Sequence, residues 1–174
     1  MMKSEIRKMM LERRNTSSKK ELNKKNKSII KDILNNDQFQ RAKTIATYYP
    51  MGNEVNLLPL LKNNQRFAFP KVESDGIHFY LYEKHIKFVK SKFGVMEPTY
   101  GELVDDQIDY MLVPALAISK DLYRVGFGKG YYDQFLSKHR PRTVMGVIYD
   151  FQELDTIPFD DHDQKLDGYM KGHL

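Results

Sequence analysis

The densest group of chemically capable residues is the run Tyr123-Arg124-Val125-Gly126-Phe127-Gly128-Lys129-Gly130-Tyr131-Tyr132-Asp133. Three glycines on alternate positions free the backbone to turn tightly and to bring its N–H groups against a ligand. Where such a loop opens a helix, the unsatisfied N–H groups and the helix dipole favour phosphate. Arg124 and Lys129 add fixed positive charge, and Asp133 offers a hard oxygen ligand for magnesium. The run is not a P-loop, because the G-x-x-x-x-G-K-[ST] spacing is missing and Lys129 precedes Gly130. Asp150 lies about 20 residues beyond the glycines, where a dinucleotide-binding unit places its ribose acid. Such a loop follows the first strand of its fold, however, and only 44 residues remain after Gly130. The dinucleotide reading is rejected.

Three further groups could serve the same chemistry. Lys3 and Arg7 are four apart and project from one face of a helix. Glu54 follows Tyr48-Tyr49-Pro50-Met51-Gly52-Asn53 just past a strand end, where ligand sites of α/β proteins gather. Asp160-Asp161-His162-Asp163 with the later Asp167 carries carboxylates that suit magnesium. Taken singly, each of these is an ordinary solvated surface charge.

The elements that must position them are legible from periodicity. Ile6, Met9 and Met10 fall at helical offsets and predict a helix over Lys3 to Asn15. Ser18 and Glu21 have the form of a capping box, opening a second helix to about Asn35 that buries Leu22, Ile29, Ile30, Ile33 and Leu34. Asn35-Asn36-Asp37 ends it. Strands are expected over Thr44–Tyr49, Arg66–Phe69 (stopped by Pro70), Ile77–Tyr82, Asp109–Val113 and Thr143–Tyr149, with short helices at Leu57–Leu61 and Gly130–His139. Strands alternating with helices indicate an α/β fold with a largely parallel sheet.

The 174 residues suit one domain, and no linker, repeat or low-complexity tract divides them. Cys is absent, which excludes disulfides, thiolate metal sites and a cysteine nucleophile. No apolar run is long enough to span a membrane and the N-terminus lacks a secretory signal, so a cytoplasmic protein is expected. The net charge of +5 is uneven: residues 1–43 carry 13 Lys/Arg against 5 Asp/Glu, and the remainder 15 against 18. A basic N-terminal quarter is read first as a solvated helical face that also steers small anions. A nucleic-acid-binding module is the alternative, but no aromatic residue interrupts the basic stretch from Lys3 to Lys31 to supply stacking.

Together these residues resemble the 5-formyltetrahydrofolate cyclo-ligase (methenyltetrahydrofolate synthetase) family over essentially the whole chain, from Lys3 to Asp167. The strongest motif is R-(L/V)-G-x-G-x-G-Y-Y-D, matched by Arg124 through Asp133. Lys3 with Arg7, the strand-end segment reaching Glu54, Gly94-Val95-Met96-Glu97-Pro98, the strand before Pro114, and His162-Asp163 with Asp167 support it. The resemblance implies a three-layer α/β domain over 1–174, with a mostly parallel central sheet flanked by helices and two helices in front. It implies cyclisation of 5-formyltetrahydrofolate, polyglutamylated forms included, to 5,10-methenyltetrahydrofolate. ATP and Mg2+ would drive the reaction through a phosphorylated formyl oxygen. Lys3, Arg7, Arg124 and Lys129 would then hold ATP phosphates on the bed formed by Val125, Gly126, Phe127, Gly128, Gly130, Tyr131 and Tyr132. Arg124, Lys129 and Tyr131 would serve the transfer itself, and Asp133 and Asp163 the magnesium. Glu54 would accept hydrogen bonds from the pterin, Tyr49 and Met51 would give apolar contact, and Phe127 to Tyr131 would face the folate. A monomer is expected, a dimer being the alternative, with neither nucleic acid nor membrane as partner. A sugar-phosphate isomerase or CoA-transferase on a similar scaffold is the competing enzyme class, separated by its indifference to ATP. Two departures stand out. Ser119 and Leu122 replace the usual Asp and Gly before Arg124, so a different turn is expected there, and Gly168-Tyr169-Met170-Lys171 replaces a more apolar ending.

Overall fold

A computed structural model describes residues 1–174. The chain begins with α1 (Lys3–Thr16) and α2 (Lys19–Leu34), divided where Ser18 Oγ accepts a hydrogen bond from the Glu21 N–H at 3.1 Å. The buried stripe of α1 is Ile6, Met10 and Arg14, a strict fourfold spacing that leaves Met9 exposed, contrary to the sequence expectation. Ile30 and Leu34 of α2 are only half buried. Asn36, read as a stop, is also a start: its Oδ1 accepts from Phe39 N–H at 3.0 Å and caps α3 (Asp37–Arg41).

Strand β1 (Thr44–Ala46) is shorter than the Thr44–Tyr49 expected, because the chain turns from the sheet to build a loop. A 3-10 turn (Leu58–Lys62) leads to β2 (Arg66–Glu73) and β3 (Gly76–Leu81). Pro70 does not end β2. Ala68 accepts from Thr47 N–H on the β1 side, so backbone alternation points the Pro70 nitrogen to that side, past the end of β1, where no ladder bond is lost. The segment after β3, for which no strand was expected, forms the hairpin β4 (Phe88–Lys90) and β5 (Met96–Pro98). Strand β6 (Tyr110–Pro114) starts one residue late because the Asp109 carboxylate accepts from the N–H groups of Lys43 and Thr44, at 2.9 and 3.0 Å, and pins the start of β1. Then come β7 (Ala117–Ser119), β8 (Arg124–Val125), α4 (Tyr131–Lys138), β9 (Thr143–Tyr149), β10 (Glu153–Leu154) and β11 (Gly168–Gly172).

The main sheet runs β11-β9-β6-β1-β2-β3, parallel except for β3. Its central strands β1, β6 and β9 are buried on both faces. Ile45, Tyr110, Leu112 and Tyr149 pack with Ile29, Ile33 and Phe39 on one face. Ala46, Met111, Val113 and Ile148 pack with Phe135 and Leu136 on the other. The α/β expectation with a mostly parallel sheet and two leading helices agrees with this structure. A smaller sheet, β10-β7-β8, carries α1 through Ile6 and Met10 against Leu116, Ala117 and Val125. Helix α1 is thereby fixed beside the segment that leads into the glycine loop. From β1 the chain goes to β2 and β3 on one side; β6, β9 and β11 fill the other. The crevice beyond the adjacent carboxyl ends of β1 and β6 is the topological switch point, where ligands of open α/β sheets bind.

His78 on β3 lies between two carboxylates, Asp105 Oδ2 at 2.6 Å from Nδ1 and Asp75 Oδ1 at 2.7 Å from Nε2. Both bonds, that to Asp105 first, raise its pKa above the ordinary value. A raised histidine contributes stability that is fully present below about pH 6.5, the unfolded value, and is lost as pH rises through the folded one. The thermal midpoint of the unaltered protein should therefore exceed that of His78→Gln near pH 6, with the gap narrowing toward pH 9. A gap constant across that range would show that the histidine charge contributes nothing.

Candidate active site

The glycine loop leaves β8 and enters α4 with Gly128 (φ +95°) and Gly130 (φ +70°, the N-cap) both in the left-handed region. The turn before it carries the only non-glycine residue at positive φ, Leu122 at 77°. Leu122 adopts the conformation that glycine would take freely, at a cost of roughly 1–2 kcal/mol, with its N–H bonded to Ser119 O at 2.9 Å.

Arg124 folds back beneath the loop. A Cβ at Gly126 would stand 2.6 Å from Arg124 Nη1, so only glycine lets the guanidinium lie there. Nη1 donates to Pro114 O at the end of β6, at 3.2 Å, and the guanidinium carbon sits 5.2 Å from the Tyr132 ring centre. Arg124 Nε is enclosed without a hydrogen-bond partner, and no carboxylate pairs with the group. Burial pulls its pKa below the ordinary arginine value, against the opposing charges of Asp133 and Asp163; the group nonetheless stays cationic. A guanidinium charge with no protein counterion, under a loop of N–H donors at a helix N-terminus, is an anion-binding arrangement.

Two further cations arrive from α1, and a third from the loop itself. Arg7 Nε donates to Gly126 O at 2.8 Å, and its guanidinium lies 3.4 Å from where a Gly128 Cβ would be. Lys3 Nζ reaches Asp163 Oδ2 at 2.5 Å. Lys129 Nζ sits 5.4 Å from the centre of the Phe93 ring. Asp163 Oδ2 also accepts from Asp160 N–H, and Asp133 Oδ1 accepts from Gln164 N–H at 3.0 Å. One oxygen of each carboxylate is thus engaged in fixing the side chain and the other is free of these bonds. Two oriented carboxylates suit magnesium, which usually takes one or two from protein and the rest from phosphate and water. Asp167 stands elsewhere, bound to Arg140 and to the Val144 N–H.

Glu54 occupies the opposite wall, 8% exposed, its Oε1 accepting from Met51 N–H at 2.7 Å. Two phenols clamp the peptide groups around it: Tyr48 OH donates to Val55 O at 2.8 Å and Tyr149 OH to Asn53 O at 3.0 Å. Burial pushes the Glu54 pKa up, opposed by the Met51 N–H and then by the positive charge of Arg14. Tyr49 packs on Phe88 of the β4–β5 hairpin, with ring centres 5.2 Å apart.

Apart from Asp167, the residues expected to act together line one cleft of about 880 Å³: Lys3, Arg7, Tyr49, Met51, Glu54, the loop from Arg124 to Asp133, and Asp163. That volume suits a ligand of nucleotide or cofactor size. Sequence reasoning gave no role to Tyr48, Phe93, Val95, Glu97 or Gln134, which also line it. The Gly94–Pro98 segment was marked as a motif, but the hairpin that brings it here was not foreseen. Glu97 is buried and accepts from the Val72 N–H at 2.8 Å, tying the hairpin to β2. Arg14 was missed altogether; its spacing of four from Met10 and eight from Ile6 was the available signal.

Residues 1–170 match the family model described as the 5-formyltetrahydrofolate cyclo-ligase family. A 5-formyltetrahydrofolate cyclo-ligase of Mycoplasma pneumoniae is 39% identical over 131 residues, covering 72% of this chain and 70% of that one. A protein of the same name from Mycoplasma genitalium is 31% identical over 170 residues, 91% and 92% of the two chains. The solved structure of a 5,10-methenyltetrahydrofolate synthetase from Aquifex aeolicus superposes with a TM-score of 0.89 at 34% identity, over 99% of this chain and 90% of that one.

Proposed function

The chain belongs to the 5-formyltetrahydrofolate cyclo-ligase family, and from that premise we propose that its cleft closes the ring of 5-formyltetrahydrofolate at the expense of ATP. The protein is an enzyme of folate one-carbon chemistry, a ligase that forms a methenyltetrahydrofolate. A formamide carbonyl is a poor electrophile and its oxygen a poor leaving group. Transfer of the γ-phosphoryl group to that oxygen makes it a phosphate leaving group. The folate's N10 then attacks the formyl carbon and gives up its proton, the C–O bond breaks with phosphate as the leaving group, and ADP, phosphate and the 5,10-methenyl ring result. Such transfer needs alignment and neutralisation of charge more than a protein nucleophile, in keeping with a chain without Cys.

The observation that supports this most is the Arg124 guanidinium, unpaired beneath the loop amides. Arg124, Lys129, Lys3 and Arg7 hold the phosphates, the N–H groups from Gly126 to Gly130 receive the moving charge, and Tyr131 borders the transfer. Asp133 and Asp163 would hold Mg2+, which when bound neutralises phosphate charge. Glu54, an acceptor when ionised, takes the N–H donors of the pterin, beside Tyr49 and Met51. In this role residues 1–174 would act as one working domain, a cytoplasmic monomer with no nucleic-acid or membrane partner. No helix is long and apolar enough to cross a membrane. The basic N-terminal quarter is divided, since Lys3 and Arg7 face the cleft while Arg14 and Lys25 are buried.

The test is turnover of 5-formyltetrahydrofolate with MgATP, the methenyl product followed optically and ADP counted against it. One ADP per ring is expected; product without ATP would sink the reading. Asp133→Asn keeps the oxygen that accepts from Gln164 but removes the charge. It should lower kcat about 10²-fold or more and weaken magnesium dependence, with an unchanged circular dichroism spectrum. Normal turnover at limiting magnesium would remove Asp133 from the metal site.

A further inference from the structure

Glu97 stands on a third wall of the cleft, that of the β4–β5 hairpin, and has so far only a structural bond. Phe93, Val95 and Glu97 line the cleft at alternate positions, so one face of the returning chain is turned inward. The Glu97 side chain is 7% exposed, forms no ion pair and makes a single hydrogen bond. That bond fixes its place. Arg66 N–H donates to Lys43 O and Ala68 O accepts from Thr47 N–H, so these positions of β2 turn their backbone groups toward β1. The Val72 N–H follows the same alternation, but β1 has ended at Ala46, and Glu97 Oε2 accepts that N–H at 2.8 Å in the space β1 leaves. The carboxylate therefore stands in the crevice beyond the carboxyl end of β1, with Oε1 free of any bond from the protein. A buried carboxylate without a cation costs stability. A neutral amide would tie the hairpin to β2 as well, without that cost, so the tie alone does not account for the charge.

We propose that Glu97 is the base that takes the N10 proton as the ring closes. The inference rests on the cyclisation proposed above, in which N10 brings an N–H to the formyl carbon and keeps none in the amidinium product. As the N10–C bond forms, the proton passes to Glu97 Oε1 and the N–H electron pair stays on nitrogen. The C–O electron pair leaves with phosphate. The glutamic acid so formed returns its proton to water when the products depart. The other proton-accepting groups of the cleft are placed for other work. Glu54 is held by the Met51 N–H on the wall read as the pterin side, and Asp133 and Asp163 lie with the cations read as phosphate ligands. Asp160, Asp161 and His162 are exposed to water on the turn that carries Asp163. Glu97 is enclosed, lies on neither of those walls, and has an oxygen to spare. A positioned carboxylate of this kind contributes about 10²–10⁴-fold as a general base.

Glu97→Gln and Glu97→Asp separate this role from the tie to β2. Glutamine keeps the length and an oxygen for the Val72 N–H but takes no proton; aspartate takes a proton but falls short of that N–H. Glu97→Gln should lower kcat about 10²-fold or more. Its KM for ATP and for 5-formyltetrahydrofolate should stay within about twofold, and its thermal midpoint should hold or rise. After rapid mixing with both substrates, ADP should appear in a burst of one per active site while the methenyl product, followed optically, lags far behind. In the unaltered enzyme the two should rise together. Glu97→Asp should melt lower than Glu97→Gln yet turn over faster, the reverse of the order a structural tie would give. A near-normal kcat in Glu97→Gln, a raised folate KM at unchanged kcat, an absent ADP burst, or a Glu97→Asp slower than Glu97→Gln would each overturn the proposal. Methenyl product formed by the unaltered enzyme without ATP would instead overturn the function assigned above. A slow Glu97→Gln beside a faster Glu97→Asp in that enzyme would still leave the base assigned. Unaltered protein that forms no methenyl product under either condition would overturn both.

Discussion

Arg124→Met should lower kcat/KM by about 10³-fold while leaving the fold intact. The guanidinium holds positive charge where phosphate is expected, and its loss resembles the removal of one preorganised donor from a transition state, worth about 10²–10³. In the protein it makes a single hydrogen bond, to Pro114 O, and has no carboxylate partner. Methionine fills the space under Gly126 without that desolvation cost, so the thermal midpoint should hold or rise. Arg124→Lys keeps a charge but loses the planar fork, and should recover only part of the rate. Kinetics at saturating ATP, with a melting curve for each variant, decide the matter. If Arg124→Met retains a tenth of the activity, the unpaired charge is not serving phosphate.

The second large effect separates the shape of the loop from its charge. Gly128 stands at φ +95°, and a Cβ there would meet the Arg7 guanidinium at 3.4 Å. Alanine is strained by the backbone angle, and its methyl would stand in contact with the side chain that donates to Gly126 O. Gly128→Ala should therefore cost about 10²-fold in kcat, the scale of a misplacement near 1 Å, and salt should barely change the defect. Lys129 is exposed, and its ammonium lies over Phe93 at the mouth of the cleft. Lys129→Ala should raise the KM for ATP severalfold, with most of the difference screened away at high salt. Measuring both variants at two salt concentrations tests the pair. A near-normal Gly128→Ala enzyme would make this loop an ordinary turn.

The glycine loop was readable because its residue types have few other uses together. Strand β9 was readable because a parallel strand buried on both faces becomes a continuous apolar run. The β4–β5 hairpin was hidden because short edge strands carry lysines outward and pair through backbone, which leaves little pattern. Strand β11 was passed over for a related reason: its five residues, two of them glycine, borrow their apolar surroundings from β9 and α2. Pro70 misled because its missing N–H was charged against a ladder that ends before it. At Leu122, tertiary anchoring by the Leu166 N–H, which bonds Leu122 O at 2.9 Å, overrides the local preference. Arg14 was invisible for a simpler reason. A charged residue at an apolar offset looks like the edge of a solvated face until the partner surface is seen.

The contact of Lys3 with Asp163 joins residues 160 positions apart and brings a cation proposed for phosphate beside a carboxylate proposed for magnesium. On the ribosome, α1 emerges first and must wait for nearly all the remaining chain before its cations acquire their acidic counterpart. A nascent chain released early could build β1, β2 and β3, yet its nucleotide pocket would lack a wall. If the cleft takes ATP as proposed, its capture is reserved for finished copies, and stabilisation by the bound nucleotide would protect those copies from proteolysis. Translation order would then bear, through one ion pair, on which molecules gain that protection.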